Sequence, residues 1–365
     1  MRVFADQKPA YVIFTVISGK YEIATGEGDT CNLISGEPVV LSRFNGKVFC
    51  KTRNTKGFLS DSVQFTGLTG YDNFSLRINS SESAIRYYSG DFQCFHDLET
   101  LLMVNICDME KYIAGVVKTE GGTGRNEEYF KTQAVIARTY TCKYLNKHII
   151  DRHNLCDGTH CQAFHGVTED SVILKAVLHT KGLVIVSSDS TLIISAFHSN
   201  CGGETSPSEY VWVTSKPYLK KVVDPYCLNS RNAAWEKSIS AKEWTGWLVK
   251  NGYSGNYTDP SIFNFAQSSR LPSYIAGSLS IPLQVIRTGF GLRSSFFSVT
   301  AEGDSLLLKG RGYGHGVGLC QEGAMEMAVK GFDFRDIIRF YYSDVHIISI
   351  ENARIGENED KVLVN

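Results

Sequence analysis

The first part of the chain is a series of short strand-like runs, and this arrangement limits the folds open to it. Residues 1 to 107 contain runs such as "YVIFTVIS" and "EPVVLSRFNGKVFCKT", and Asn45-Gly46 within the second is typical of a two-residue hairpin turn. The first long helical pattern begins only at Asn126. Because strands come first and helices follow, without regular alternation, the sequence predicts an α+β fold.

The helical pattern that begins at Asn126 is well specified. Asn126 is a good N-cap, and Glu127 and Glu128 fall in the first turn, where the helix dipole favours acidic side chains. The pattern runs through "YFKTQAVIARTYTCKYL" towards residue 147 and places Gln133 and Tyr140 on one face. Shorter helices are predicted in "SVILKAVLHT", in "AKEWTGWLVKN" after a Ser240–Glu243 capping box, and in "DFRDIIRFYYSD", with strands in "GLVIV" and "LIISAFHS".

Charge and hydropathy exclude several classes of partner. Lys and Arg number 37 against 38 Asp and Glu, so the chain has no positive excess with which to bind nucleic acid or an anionic membrane surface. No window reaches the roughly 18 apolar residues of a membrane-spanning helix. Residues 10–18 are too short and lack the basic flank of a signal peptide, so none is expected.

A group of metal-ligand residues lies in "HNLCDGTHCQAFHG". Cys156, His160 and Cys161 fall within six residues, with His153 and His165 close by. Two thiolates and an imidazole are ligands that Zn²⁺ selects, although the second CxxC pair of a common zinc finger is missing. A Cys156–Cys161 disulfide or two free thiols are the alternatives, and most of the ten cysteines are expected to be buried thiols.

Two glycine-containing stretches are candidates for ligand contact. In "SAFHSNCGGET", residues 195–205, a strand runs into a Gly202-Gly203 turn, and His198 and Ser199 would point to opposite faces, which favours a ligand-contacting loop over a nucleophile. "GRGYGHGVGLCQEGA" has glycine at every second position from 310 to 318 but lacks the Gly-Lys-Ser/Thr ending of a phosphate loop. His315 lies where glycines allow close approach, with a functional and a structural role both open.

Glu120 is the remaining candidate. It follows the apolar run "YIAGVV" and precedes a Gly-Gly pair. Burial against apolar surface would raise its pKa towards the range useful to a general acid. The alternative is a solvated glutamate at a helix end.

Together and in this order, the motifs resemble the stage II sporulation protein D family (the SpoIID/LytB domain). The stretches that carry the resemblance are "LMVNICDMEKYIAGVVKTEGG", "YFKTQAVIARTYTCKY", "CDGTHCQAF", "FHSNCGGETSPSEYVW", "KPYLKKV", "GRGYGHGVGLCQEGAMEMAVKG" and "IIRFYYSDV". They predict a β-rich N-terminal region over 1–80, a SpoIID-like domain over 81–350 and a charged tail over 351–365. The expected fold is α+β, a mixed β-rich domain in which a few helices line a substrate cleft.

The resemblance implies a peptidoglycan lytic transglycosylase, an extracytoplasmic enzyme that cleaves the MurNAc–GlcNAc bond without water and leaves 1,6-anhydroMurNAc ends. The acidic residue after the "YIAGVV"-like run is the family's acid/base, matched here by Glu120. Some members bind zinc through a Cys-x4-Cys and His cluster, matched by Cys156, His160 and Cys161, with His153 as the further ligand expected here. The zinc is expected to be structural. Cys201 stands where serine is frequent in the family.

A single carboxylate suits this reaction. Ordinary glycosidases use two carboxyl groups, whereas here the C6 hydroxyl of the sugar attacks, so one residue protonates the leaving oxygen and later accepts the hydroxyl proton. Tyr140 and Tyr218 could stack on sugars, with core packing an equal alternative for Tyr140. The residues expected to contact substrate are Gln133, Arg138, Tyr140, Ser199, Gly202, Gly203, Thr205, Tyr218, His315 and Gln321.

Two other functions are open. One is a non-catalytic wall-binding protein that stimulates a cell-wall amidase, as some relatives of this domain do; it would bind glycan without cleaving it. The other is a hydrolase centred on Cys201 and His198, which would lose its activity in Cys201→Ser. The expected partners are therefore peptidoglycan glycan strands and an amidase.

Overall fold

The structure is a computed structural model and describes residues 1–79, 84–97, 99–212, 214–255 and 259–355. The chain forms two compact units, Met1–Gly182 and a second unit that begins at Leu183. Most of the predicted charged tail, from 356 onwards, lies outside the described residues. The three predicted regions, 1–80, 81–350 and 351–365, remain predictions.

The first unit begins with twelve described strands. In chain order they are β1 (Arg2–Val3), β2 (Tyr11–Ser18), β3 (Lys20–Thr25), β4 (Thr30–Ile34), β5 (Pro38–Phe44), β6 (Lys47–Thr52), β7 (Phe58–Ser60), β8 (Ser62–Gly67), β9 (Asn73–Ile78), β10 (Arg86–Ser89), β11 (Asp91–Asp97) and β12 (Thr100–Ile106). They form two antiparallel sheets, ordered β1-β12-β11-β8-β3-β4 and β10-β9-β2-β5-β6-β7. The predicted Asn45-Gly46 turn joins β5 to β6 with φ of 47° and 73°, as a type I′ turn requires.

Aromatic rings join the two sheets. Phe14 of β2 stacks on Phe65 of β8 with 4.2 Å between ring centroids, and Phe74 of β9 lies 5.6 Å from Phe92 of β11. All four side chains are fully buried. Each such pair contributes about 0.5–1.5 kcal/mol beyond its buried area. The alternating pattern of the first hundred residues therefore builds a two-sheet core.

Three α-helices follow in the same unit: α1 (Met109–Gly121), α2 (Glu127–Lys143) and α3 (Ser171–His179). Asp108 caps α1 by accepting from the backbone N–H groups of Glu110 and Lys111. Asn126 caps α2 as predicted, and its side chain accepts from the N–H of Glu128 at 2.8 Å. The helix ends four residues before the predicted position, at Lys143.

The second unit is mixed. Its strands are β13 (Leu183–Val186), β14 (Phe197–His198), β15 (Ala234–Ser240), β16 (Ser273–Ala276), β17 (Leu279–Pro282), β18 (Phe297–Glu302), β19 (Ser305–Arg311), β20 (Leu319–Cys320) and β21 (His346–Ser349). Its helices are α4 (Ala241–Lys250), α5 (Leu283–Gly289), α6 (Gln321–Val329) and α7 (Phe334–Tyr341). β15, β19 and β18 form an antiparallel sheet, and β14 pairs in parallel with β20.

Two predictions for this unit have different outcomes. The capping box before α4 is confirmed, because Ser240 Oγ accepts from the N–H of Glu243 at 3.1 Å. The long strand predicted in "LIISAFHS" is confined to Phe197–His198, since earlier residues of the segment make isolated bridges, such as that between Leu192 and Val186.

Strands and helices mix in both units, so the predicted α+β class is confirmed. Among the described residues, none of the helices is both long enough and apolar enough to cross a bilayer.

Candidate functional site

Glu120 lies in the last turn of α1, at the point where the helix ends. The helix stops at Gly121, and Gly122 takes a φ of 76°, which a residue with a side chain rarely adopts. The Glu120 carboxylate is half-buried and accepts a hydrogen bond from the Ala163 N–H at 2.7 Å. Burial raises the pKa of Glu120, and the bond from Ala163 opposes part of that rise.

A glycine in α1 allows the Ala163 loop to approach. A Cβ on Gly115 would lie 2.4 Å from the carbonyl oxygen of Gly166 and 2.4 Å from the ring of Phe164. Thr119 adds a second contact, because its Oγ1 accepts from the His165 N–H at 3.3 Å. Because residue 115 has no side chain, residues 163–166 can lie close enough to α1 for the Ala163 N–H to reach Glu120.

The predicted metal ligands Cys156, His160 and Cys161 lie in the chain just before residues 163–166. Cys156, His160, Cys161 and His148 place one potential ligand atom each within 4.8 Å of one another, and we call these four residues the loop cluster. Cys161 Sγ lies 3.4 Å from His148 Nε2 and 3.8 Å from His160 Nδ1. Two thiols and two imidazoles at this spacing fit a tetrahedral Zn²⁺ site.

The fourth member of the loop cluster differs from the residue that the sequence suggested. His148 completes the group, whereas the ring of His153 stacks on that of His148 at 4.9 Å between centroids. His153 Nδ1 is 2.9 Å from the carbonyl oxygen of Asp151. His153 therefore packs beside the cluster, against the ring of His148. Sequence spacing gave no signal for His148, because it lies outside the short Cys156–Cys161 segment and a 3-10 helix, Ile149–Asp151, separates it from Cys156.

The predicted contacts on α2 are more buried than substrate binding requires. Arg138 is fully buried, and its Nε and Nη2 donate to the two carboxylate oxygens of Glu110 at 2.9 and 2.5 Å. Gln133 is also buried and lies near Gly121, at the end of α1. Tyr140 is half-buried, and its hydroxyl donates to the carbonyl oxygen of His160 at 3.5 Å. Arg138 thus ties α2 to α1, and Tyr140 packs beside the loop cluster.

In the second unit, the predicted Gly-Gly loop is a place of close backbone approach. A Cβ on Gly202 would lie 2.6 Å from Cβ of Arg311, and one on Gly312 would lie 2.5 Å from the carbonyl oxygen of Asn200. Gly203 has a φ of 96°. The two glycine-containing stretches, 200–203 and 310–314, therefore pass each other with little room for side chains.

The polar residues around this loop divide into accessible and internal ones. Ser199 is half-buried, and its Oγ accepts from Asn232 Nδ2 at 3.2 Å. Thr205 is fully buried and accepts from the Val222 N–H at 2.8 Å. The Tyr218 hydroxyl accepts from the Ile194 N–H at 3.0 Å, and its ring is buried too. Thr205 and Tyr218 thus support the loop, and Ser199 remains partly exposed.

His315 is neutral at physiological pH. Burial, with the charges of Arg287 and Arg270, lowers the pKa of His315 to about 4. Its Nδ1 accepts from the Val317 N–H at 3.0 Å, which leaves Nε2 as the protonated nitrogen. The predicted contact Gln321 is half-buried and is the first residue of α6.

Glu322 is a residue of this region that spacing in the sequence did not reveal. Its carboxylate accepts from Asn200 Nδ2 at 2.6 Å, from Ser230 Oγ at 2.5 Å and from Asn232 Nδ2 at 2.6 Å. Because Asn232 also donates to Ser199, Glu322 fixes the polar residues at the end of β14. The donors come from separate stretches of chain, so only the tertiary structure brings them together.

The structure does not support a Cys201 nucleophile. Cys201 is fully buried, and its Sγ lies 3.4 Å from Cys227 Sγ and 3.2 Å from Asp224 Oδ2. His198 Nδ1 lies 3.1 Å from the carbonyl oxygen of Val317, with the His198 ring buried as well. A substrate could not reach this sulfur without rearrangement of the core.

The family comparison agrees with the resemblance seen in the sequence. Residues 98–186, which include α1, α2 and the loop cluster, match the family model described as stage II sporulation protein. The resemblance to the stage II sporulation protein D family is therefore confirmed over residues 98–186.

Individual relatives extend the similarity beyond that segment. Stage II sporulation protein D of Bacillus subtilis is 27% identical over 256 residues, which is 66% of this chain and 74% of the relative. An uncharacterised protein of Brachyspira hyodysenteriae is 29% identical over 276 residues, 73% of each chain. The amidase enhancer of Bacillus subtilis is 26% identical over 290 residues, and the match spans 65% of this chain but 40% of that protein.

Proposed function

We propose that this chain is a peptidoglycan lytic transglycosylase in which Glu120 is the general acid and base. The observation that carries the proposal is the state of that carboxyl group. It is half-buried at a helix end, burial raises its pKa, and one oxygen accepts from a backbone N–H. A carboxyl group of raised pKa keeps its proton closer to neutral pH, which a general acid needs.

The reaction needs one proton-transfer residue. Protonated Glu120 would donate its proton to the glycosidic oxygen as the bond from that oxygen to the MurNAc C1 breaks. The C6 hydroxyl of the same sugar then attacks C1, and its proton returns to Glu120. Atoms and charges balance without water, and the carboxyl group ends as it began. The Ala163 N–H would stabilise the intermediate carboxylate, since it already donates to that group.

On this proposal the loop cluster holds Zn²⁺ through His148, Cys156, His160 and Cys161. With four protein ligands the ion has no open position, so its contribution is structural. Cys161 lies two residues before Ala163, the residue that donates to Glu120. Gln162, between them, has an Oε1 that accepts from Tyr112 of α1 and Thr141 of α2. A pinned loop would therefore keep the Ala163 N–H in place.

The accessible polar groups of the second unit are proposed to contact the glycan. Ser199, His315 and Gln321 are half-buried rather than enclosed. Because His315 is neutral, its ring brings no charge to an uncharged sugar. The substrate places this activity on the extracytoplasmic side of the cell envelope.

The proposal is tested by digesting purified peptidoglycan and identifying the muropeptides by mass spectrometry. Wild-type protein should produce 1,6-anhydroMurNAc ends, and Glu120→Gln should produce none above background. Glu169→Gln makes the same change at an exposed position of the same unit and should retain activity. Hydrolytic reducing ends, or equal activity in Glu120→Gln and wild type, would refute the assignment.

The second candidate is a non-catalytic enhancer of a cell-wall amidase, which is favoured by similarity to a protein named amidase enhancer. It predicts glycan binding without cleavage and faster release of stem peptides when an amidase is added. A stimulation that persists in Glu120→Gln would support this function over catalysis.

A further inference from the structure

The second unit contains a group of four buried side chains with ligand atoms. Cys201, Asp224, Cys227 and Cys320 place these atoms within 4.8 Å of one another, and all four residues have no exposed surface. We call them the thiol cluster. They come from three separate stretches: the Gly-Gly loop, the segment before Ser230, and the cap of α6. Their convergence is therefore a product of the fold and not of local spacing.

The ligand atoms lie slightly closer together than they do around a bound metal ion. In a tetrahedral site with Zn–S bonds of about 2.3 Å, neighbouring sulfur atoms lie about 3.8 Å apart. Here Cys201 Sγ lies 3.4 Å from Cys227 Sγ and 3.2 Å from Asp224 Oδ2. Three sulfur atoms and one carboxylate oxygen form a donor set suited to a borderline-soft divalent cation.

The surroundings hold the ligand atoms in the orientation that a metal site needs. Cys320 Sγ accepts from the N–H groups of Cys201 at 3.3 Å and Gly323 at 3.4 Å. Asp224 Oδ1 accepts from the Tyr226 N–H at 2.9 Å, and Oδ2 accepts from the Tyr341 hydroxyl at 2.9 Å. Hydrogen bonds from the residues that surround metal ligands orient those ligands and stabilise their charged forms.

A glycine makes space for the carboxylate. A Cβ on Gly323 would lie 2.4 Å from Asp224 Oδ2 and 2.2 Å from the Tyr341 hydroxyl oxygen. With a side chain at 323, Asp224 could not approach the thiols and keep its bond to Tyr341. The fold thus admits a carboxylate among three sulfur atoms, where an apolar core would exclude it.

We propose that the thiol cluster binds one Zn²⁺ ion through Cys201, Asp224, Cys227 and Cys320. Each thiol loses its proton to solvent as its Zn–S bond forms, and no oxidation takes place. The four protein ligands close the coordination shell, so the ion is structural. It fastens the loop of Ser199 and Gly202 to the start of α6, where Gln321 lies. This site is separate from the loop cluster, because all its ligands belong to the second unit.

The experiment measures zinc in protein purified without added metal, in a chain whose loop cluster is removed by Cys156→Ser and Cys161→Ser. We expect about one zinc per chain in this background. Adding Cys227→Ser should remove that ion, whereas Cys31→Ser, at a half-buried cysteine outside both clusters, should leave it. Equal zinc content in these two variants, or a background chain without zinc, would overturn the proposal.

A second measurement does not depend on the folding of the serine variants. Cobalt is added to the metal-stripped wild-type chain, and the thiolate-to-cobalt charge-transfer absorption is followed. Two clusters that together hold five thiolates should saturate at about two cobalt ions per chain. Saturation at one ion whose binding Asp224→Asn leaves unchanged, or a mass lower by two hydrogens that maps to a disulfide among Cys201, Cys227 and Cys320, would contradict the second site. Asp224→Asn should weaken cobalt binding at one of the two sites and leave the other unchanged.

Discussion

Gly115→Ala is the substitution that most directly tests how the fold holds Glu120. The new Cβ would lie 2.4 Å from a backbone carbonyl oxygen, that of Gly166, so the clash cannot be relieved by turning a side chain. Overpacking of this kind costs about 1–3 kcal/mol, and we take the upper end because the obstacle is backbone. Replacing a helical glycine by alanine returns about 1 kcal/mol. The net loss expected in the free energy of unfolding is therefore about 2 kcal/mol.

The matched control is Gly246→Ala in α4. Its Cβ would meet no atom within 4 Å, so only the gain in helix propensity remains, about 1 kcal/mol. Urea unfolding followed by circular dichroism measures both variants. Opposite signs are expected, with Gly115→Ala less stable and Gly246→Ala more stable than wild type. Equal effects would show that the close approach of α1 and residues 163–166 is not a constraint in solution.

The same substitution should also affect catalysis. A side chain at 115 displaces the loop that carries the Ala163 N–H away from Glu120. The yield of anhydro products from Gly115→Ala should therefore fall at temperatures where the variant remains folded, whereas Gly246→Ala should match wild type. Wild-type activity in folded Gly115→Ala would refute the role given to the Ala163 loop.

Three further predictions follow from the buried charges. Burial raises the pKa of Glu120, so the contribution of this group to stability is fully present below its unfolded-state pKa and is lost as pH rises through its folded-state pKa. The free energy of unfolding of wild type relative to Glu120→Gln should therefore fall over that pH range. A difference that does not change with pH would contradict this prediction. Arg138→Met removes the ion-pair partner of Glu110 and should lower the free energy of unfolding, measured in urea, by about 3 kcal/mol. Adding Glu110→Gln to this variant should restore part of the loss. If the double-mutant cycle shows no coupling between the two positions, the ion pair does not contribute to stability. With a pKa of about 4, His315 does not titrate near neutral pH. His315→Gln should therefore change the rate of anhydro-product formation without moving the pH optimum of the reaction. A shifted pH optimum would count against a neutral His315.

Local sequence signals predicted the local structure well. The Asn126 cap of α2, the Ser240–Glu243 capping box and the Asn45-Gly46 turn are all present as expected. Each depends on residues no more than four positions apart, so its energetics are nearly complete within the segment. The predicted strand over "LIISAFHS" was too long because strand formation depends on a partner elsewhere in the chain.

In the candidate site, too, features that depend on neighbouring residues could be predicted from the sequence, and features that depend on packing could not. The apolar run before Glu120 left two alternatives, a buried carboxyl group with a raised pKa and a solvated one, and in the structure burial raises the pKa of Glu120. Arg138, in contrast, was expected to contact substrate, and its pairing with Glu110 depends on how α1 packs on α2. A charged residue on a helix face looks the same in sequence whether that face meets solvent or another helix.

The sequence by itself determined the fold class, the N-terminal caps of α2 and α4, and the ordered motifs that resemble the stage II sporulation protein D family. Only the tertiary structure decided that His148 joins Cys156 and Cys161, and that Cys201 and Cys320 meet across 119 positions of chain. The physical reason is the separation along the chain of the residues that interact. Caps and turns are stabilised by neighbours in sequence, whereas a ligand cluster forms wherever packing of the core brings donor atoms together.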